Sequence, residues 1–284
     1  EKGMPLACVP DRVAQQVDVV YQKRLATVGE IDGEEVGGTG DEGASVVGHS
    51  LTSEMALMGI ASLNPSYGSN MLLNSPWRSD FPALAAFASE GQTYLDSAAT
   101  AQKPQAMIAA LTDYYQHGAA NVHRAQHLPG ERATRAFEAV REQIAHWLNA
   151  ASSEQIIFTR GSTEALNLLA YGLEQEFVPG DEIVISALEH HANLLPWQQL
   201  VQRRQLKLVV LPLDQHGDLD LGAAAQLIGP RCRLLAVSQL SNVLGRWLPL
   251  APLLALAKAQ GALTVVDGAQ GAVHGRPDLQ ALGC

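Results

Sequence analysis

The chain has 284 residues, enough to bury a sizeable core as one large domain with something smaller beside it. Its composition, 47% hydrophobic and 17% charged, is that of a globular protein, and a formal net charge of −10 argues against nonspecific nucleic-acid binding, which needs Lys and Arg to meet phosphates. Cys8, Cys232 and Cys284 are too sparse for a disulfide scaffold, no apolar run reaches the roughly 18 residues that span a bilayer, and no secretory leader pattern opens the chain, so a reducing cytoplasm is expected, with no membrane partner.

Residues 1–70 read differently from the rest. Val13 to Ala26 has the spacing of one amphipathic helix, and Ser53 to Leu63 that of a second, shorter one. Between them Gly29 to Gly48 is rich in glycine and carboxylates, which favours a flexible acidic linker. Gly38-Thr39-Gly40-Asp41-Glu42-Gly43 matches G-x-G-x-x-G, but no strand precedes it and two carboxylates stand where a pyrophosphate would approach. A domain boundary is expected near residue 70.

From residue 71 the pattern becomes regular. Helices are predicted at Pro104–Tyr115 and at Glu131–Leu148, the second after Pro129-Gly130. Short apolar runs follow at Ile156–Phe158, Ile183–Ile185, Leu208–Leu211, Leu234–Val237 and Leu263–Val266. They alternate with helical patterns at Thr163–Gln175, Asn193–Gln205, Leu219–Ile228 and Pro249–Gln260, each long enough for a parallel crossover. The expected core is α/β: a mostly parallel sheet with helices on both faces.

Three loops at the ends of these runs carry chemistry. In open parallel sheets, ligands bind outside the carboxyl ends of the strands. Gly161-Ser162-Thr163 places a glycine, two hydroxyls and the N–H groups of a starting helix together, which suits an anion; the alternative is that Ser162 is only a helix cap. Glu189-His190-His191-Ala192-Asn193 puts paired imidazoles at a strand end. His190 there could stack on an aromatic ring or move protons, or be an ordinary loop histidine. No second ligand cluster stands at a metal-binding spacing, so no metal is expected.

Asp267 ends the last apolar run, where a charge is costly unless it meets a cation or hydrogen bonds. A protonated pyridine nitrogen is such a partner, and a structural cap or a nearby Arg is the competing one. Gln270, three residues on, could bond to an oxygen of the same ring.

Together these loops resemble a fold-type-I enzyme dependent on pyridoxal 5′-phosphate, in the cysteine desulfurase and selenocysteine lyase branch of the class V aminotransferases. The resemblance runs from about Trp77 to Cys284. It is carried by Tyr94-Leu95-Asp96-Ser97-Ala98-Ala99-Thr100, Asn121-Val122-His123-Arg124, Arg160-Gly161-Ser162-Thr163-Glu164, the Glu189–Asn193 stretch, Ser241-Asn242-Val243-Leu244-Gly245 and Asp267-Gly268-Ala269-Gln270.

The resemblance implies that residues 71–284 are an incomplete cofactor-binding large domain. Ser162 and Thr163 would hold the phosphate, His190 would lie on the pyridine face, Asp267 would pair with the ring nitrogen and Gln270 would donate to the phenolic oxygen. Asn242 would sit over the cofactor near the substrate, with His123 and Ala98 at the entrance. The implied reaction removes sulfur from L-cysteine, leaving L-alanine and an enzyme persulfide, for iron–sulfur cluster assembly and related sulfur metabolism.

L-Selenocysteine is a possible alternative substrate, and kynureninase or aminotransferase chemistry and a noncatalytic binding module are the other readings. Family members are generally homodimers that hand sulfur to an acceptor protein. The family's cofactor-bonding lysine and nucleophilic cysteine align beyond Cys284, so this chain alone is expected to be inactive. Residues 1–70 fall outside the family pattern.

Overall fold

The computed structural model describes residues 75–124 and 126–284. The two helices expected before residue 64, the acidic linker, the G-x-G-x-x-G match and the boundary near residue 70 lie outside the described residues. The described residues divide into two compact units, one of residues 96–101 and 114–284, the other of residues 75–95 and 102–113. In the smaller unit, helix α1 (Pro82–Ser89) opens with proline in its first turn, where the missing N–H costs nothing, and Phe87 stacks on Tyr94 at 5.4 Å. Helix α2 (Gln105–His117) starts in this unit and ends in the other.

The larger unit is built on four parallel strands, β1 (Glu182–Ser186), β2 (Lys207–Leu211), β3 (Cys232–Ser238) and β4 (Leu263–Asp267), in the order β2-β1-β3-β4. Side chains alternate across a strand, so each strand supplies both faces. Ile183, Ile185, Leu234, Ala236 and Val265 pack on one side with Leu166 and Leu169 of α4 (Ser162–Gly172) and Trp197 and Leu200 of α5 (Leu195–Arg204). Val184, Leu235, Val237 and Val266 pack on the other with Ala224 of α6 (Leu221–Leu227) and Leu253, Leu254 and Ala257 of α7 (Leu250–Ala259). Burial on both faces explains why these strands read as continuous apolar runs rather than alternating ones.

Two expectations are corrected. Ile156–Phe158 is not a strand. Ile156 is extended after a capped turn, Ser153–Gln155, but its carbonyl accepts from the Arg141 guanidinium, so the backbone acceptor a ladder would need is taken by a side chain. Its apolar residues pack on a helix instead: Ile156 joins Ala145 and Leu148, and Phe158 lies edge-on to Phe137 at 4.9 Å. That helix, α3, begins at Leu128 rather than Glu131. Pro129 falls in its first turn, which tolerates proline, and the His127 ring accepts from the Gly130 N–H at 3.2 Å as the cap.

Short helices α8 (Gly271–His274) and α9 (Leu279–Leu282) follow β4. Among the described residues no helix is long and apolar enough to cross a membrane.

Candidate active site

The parallel sheet turns Ser186, Ser238 and Asp267 towards one end, since each closes its strand there. Asp267 pairs in register with Ser238 and is only 8% exposed. Among the described residues its carboxylate takes one hydrogen bond, from the Ala269 N–H to Oδ1 at 3.0 Å. Burial pushes its carboxyl above the ordinary range, opposed by that N–H and by the nearby His190 ring. A buried acid with so few donors is short of positive charge.

His190 stands on the loop after β1 and caps the turn His191–Asn193. Its Nδ1 accepts from the Ala192 N–H at 3.1 Å, so the neutral ring carries its proton on Nε2. The exposed imidazole is close enough to Asp267 to act on its charge. His191 lies at 6.2 Å between ring centroids and steeply inclined. Among the described residues no group of three His, Cys, Asp or Glu could hold a metal.

The cap of α4 is Gly161, not Ser162, with φ +132° and ψ 173°, a conformation that side chains strain to adopt. Nothing lies within 4 Å of where a Cβ would stand, so the backbone faces open space. No side chain among the described residues caps this helix. Ser162, its first residue, is buried and Thr163 is exposed. The Glu164 carboxylate turns away to the Arg160 N–H at 2.6 Å and to its guanidinium at 2.9 Å, which holds it below the usual range. Among the described residues the N–H groups and hydroxyls of the first turn therefore remain for a ligand, and they suit a phosphate. This helix packs against the turn His191–Asn193 and so shares the His190 end of the sheet.

Gln270 follows β4, and its Nε2 donates to the Ala98 carbonyl at 3.0 Å, joining two expected site residues 172 positions apart. Asn242 lies exposed in the turn after β3, beside Ser241, whose Oγ accepts from the Val243 and Leu244 N–H groups. His123 is not brought to this cluster by any described contact. Its φ is +65°, its N–H donates to Thr134 Oγ1, and its ring meets Glu138 at 3.2 Å on α3.

The residue that sequence reasoning missed is Glu189. Its Oε1 accepts from Ser186 Oγ at 2.5 Å and from the Ser238 N–H at 2.9 Å; its Oε2 accepts from Ser238 Oγ at 2.5 Å and Asn193 Nδ2 at 2.7 Å. Asn193 Oδ1 in turn accepts from Trp197 Nε1 at 2.9 Å. Burial raises the Glu189 carboxyl, against the four donors. Cys232, by contrast, is a core residue whose thiol burial pushes up to about 11, far from a nucleophile.

Residues 93–284 match the family model for Aminotransferase class-V. The chain belongs to the class-V aminotransferase family. Members of this family use pyridoxal 5′-phosphate. The chain is 71% identical over 214 residues to a probable cysteine desulfurase of Pseudomonas putida, covering 75% of this chain and 53% of that one. It is 50% identical over 210 residues to a cysteine desulfurase of Pectobacterium carotovorum, covering 73% and 51%. Among solved structures, cysteine desulfurase CsdA of Escherichia coli, in an S-sulfonic acid form, matches with a TM-score of 0.65 at 44% identity, over 73% of this chain and 51% of that one. The chain thus spans about half the length of the relatives it matches, and the fold of this class-V chain is that of the fold-type-I enzymes.

Proposed function

We propose that this chain forms the cofactor-binding part of a cysteine desulfurase, which takes L-cysteine as substrate and releases its sulfur to an acceptor protein. The observation that carries the proposal is Asp267: a buried carboxylate at a strand's carboxyl end, with one N–H donor among the described residues and an imidazole near enough to act on its charge. A protonated pyridine nitrogen would supply the positive charge this carboxylate lacks. Pyridoxal 5′-phosphate, when bound, supplies an electron sink for the bonds of the amino acid.

The chain's residues divide the remaining work. Ser162, Thr163 and the first N–H groups of α4 hold the phosphate. Asp267 would keep a proton on the ring nitrogen, and His190, whose Nδ1 is taken by the Ala192 N–H, would meet the ring with its Nε2 proton free. Gln270 keeps a second amide hydrogen for the phenolic oxygen while the first is spent on Ala98. Asn242, Ala98 and His123 belong to the substrate side. The cytoplasm, a homodimer and a role in iron–sulfur cluster assembly complete the reading.

Titration with pyridoxal 5′-phosphate, followed by absorbance and tryptophan fluorescence, tests the site. Saturable binding that weakens in Asp267→Ala is expected; equal binding by both proteins overturns the assignment. Alanine release from L-cysteine, compared with L-selenocysteine, tests the reaction in a protein that also carries the lysine and cysteine loops expected after Cys284. Alanine release by these 284 residues alone would contradict the placing of those two groups.

A further inference from the structure

Glu189 holds three separate elements with one carboxylate. Ser186 ends β1, Ser238 ends β3, and Asn193 closes the turn behind His190. Ser238 is gripped twice, through its N–H and its hydroxyl, and it is the register partner of Asp267. Asn193 is fixed from behind by the buried Trp197, so its amide cannot turn over without losing the Nε1 bond. His190 directly follows Glu189 in the chain, and its ring orientation depends on the turn that Asn193 closes. The network thus runs from the loop that carries the imidazole to the strand that flanks the buried acid.

From this arrangement we infer that Glu189 is a positioning residue, which sets the separation and orientation of His190 and Asp267, the one assigned to the face of the cofactor ring and the other to its nitrogen. The inference rests on the proposed cofactor site, because a ring met at its face by His190 and at its nitrogen by Asp267 would give their spacing a function. Glu189 does not touch the ring. It acts by fixing the strand end beside Asp267 and the turn beneath His190, so that both groups are in place before a ligand arrives.

The acceptor pattern makes the inference sharply testable. Each carboxylate oxygen takes one nitrogen-borne hydrogen, Oε1 from Ser238 and Oε2 from Asn193. A glutamine has the same shape, but either orientation of its amide sets an N–H against one of those donors. Glu189→Gln should therefore keep the fold while loosening the network.

The experiment compares the 284-residue chain and Glu189→Gln by long-range 1H–15N spectra of the imidazoles without cofactor, then by fluorescence titration with pyridoxal 5′-phosphate. In the parent chain the neutral His190 ring should show a single tautomer, protonated on Nε2. In Glu189→Gln the two tautomers should mix, and the cofactor dissociation constant should rise roughly tenfold, the loss expected for one hydrogen bond to a charged group. A folded Glu189→Gln with the parent tautomer and parent affinity overturns the inference.

If the parent chain binds no cofactor but the variant still mixes the tautomers, the cofactor reading fails and the positioning role stands. Should Glu189→Gln not fold, Ser238→Ala decides, since it removes one hydroxyl bond and leaves the other three. It should move the His190 signals part of the way in the same direction, and unchanged signals would overturn the inference.

Discussion

Glu189 and Asp267 are two carboxylates at the same end of one sheet, both raised by burial, and their surroundings differ in one respect. Among the described residues Glu189 meets four donors, and Asp267 meets one. A carboxylate whose lone pairs are filled by its own chain has a structural task. One left short of donors is arranged for something that comes from outside, and it is stabilised only when that arrives. The contrast separates the scaffold of this site from its working edge without reference to any relative.

Removing each acid should therefore move stability in opposite directions. Glu189→Ala leaves Ser238, Asn193 and Ser186 without their acceptor, and chemical denaturation should show a loss of about 3 kcal/mol. A loss under about 1 kcal/mol would break the comparison.

Gly161→Ala comes next. At φ +132° the new side chain strains the backbone, at a cost of about 2 kcal/mol in unfolding free energy, together with weaker binding of phosphate-bearing ligands. Because no atom stands near the Cβ position, the strain is conformational rather than a clash, and Gly161→Ser should cost about the same.

Asp267→Asn should do the reverse to the chain without ligand. The amide oxygen still accepts from Ala269, and the buried charge is gone. A carboxyl raised on folding favours the native state below its unfolded value and loses that contribution as pH rises through its native value. Asp267→Asn should thus be more stable than the parent at pH 8, by about 1 kcal/mol, with a difference that shrinks towards pH 4. Thermal unfolding across that range measures both. A variant less stable at pH 8 would mean that Asp267 has a structural partner.

Ser186→Ala gives the smallest effect. It removes the hydroxyl that donates to Glu189 Oε1 and accepts from the Leu188 N–H, and a loss of about 1 kcal/mol is expected in the same denaturation experiment.

Much of the fold was legible because parallel strands buried on both faces write themselves as apolar runs, as at Ile183–Ile185 and Leu234–Val237. Ile156–Phe158 misled for the same reason: an extended segment packed on a helix has the same run, and only the Arg141 guanidinium on its carbonyl tells them apart. Asp267, Gly161 and Gln270 were visible from their places after strands or at a helix start. Their neighbours were not, since the Gln270–Ala98 bond spans 172 positions.

Glu189 was hidden because an acid beside two histidines reads as a solvated loop residue. The signal was there in parts: Ser186 and Ser238 each end an apolar strand with a hydroxyl, and Asn193 stands four residues after Glu189. Only the sheet brings the two serines to one carboxylate. His123 shows the converse, a motif residue whose described partners are Glu138, Thr134 and Phe137 rather than the loops at the strand ends.

The most direct test of the account is the 15N resonance of the ring nitrogen of labelled pyridoxal 5′-phosphate bound to this chain. The account predicts a protonated nitrogen at neutral pH in the parent protein and an unprotonated one in Asp267→Asn. An unprotonated nitrogen in both, or a protonated one that survives the substitution, would contradict the role assigned to Asp267.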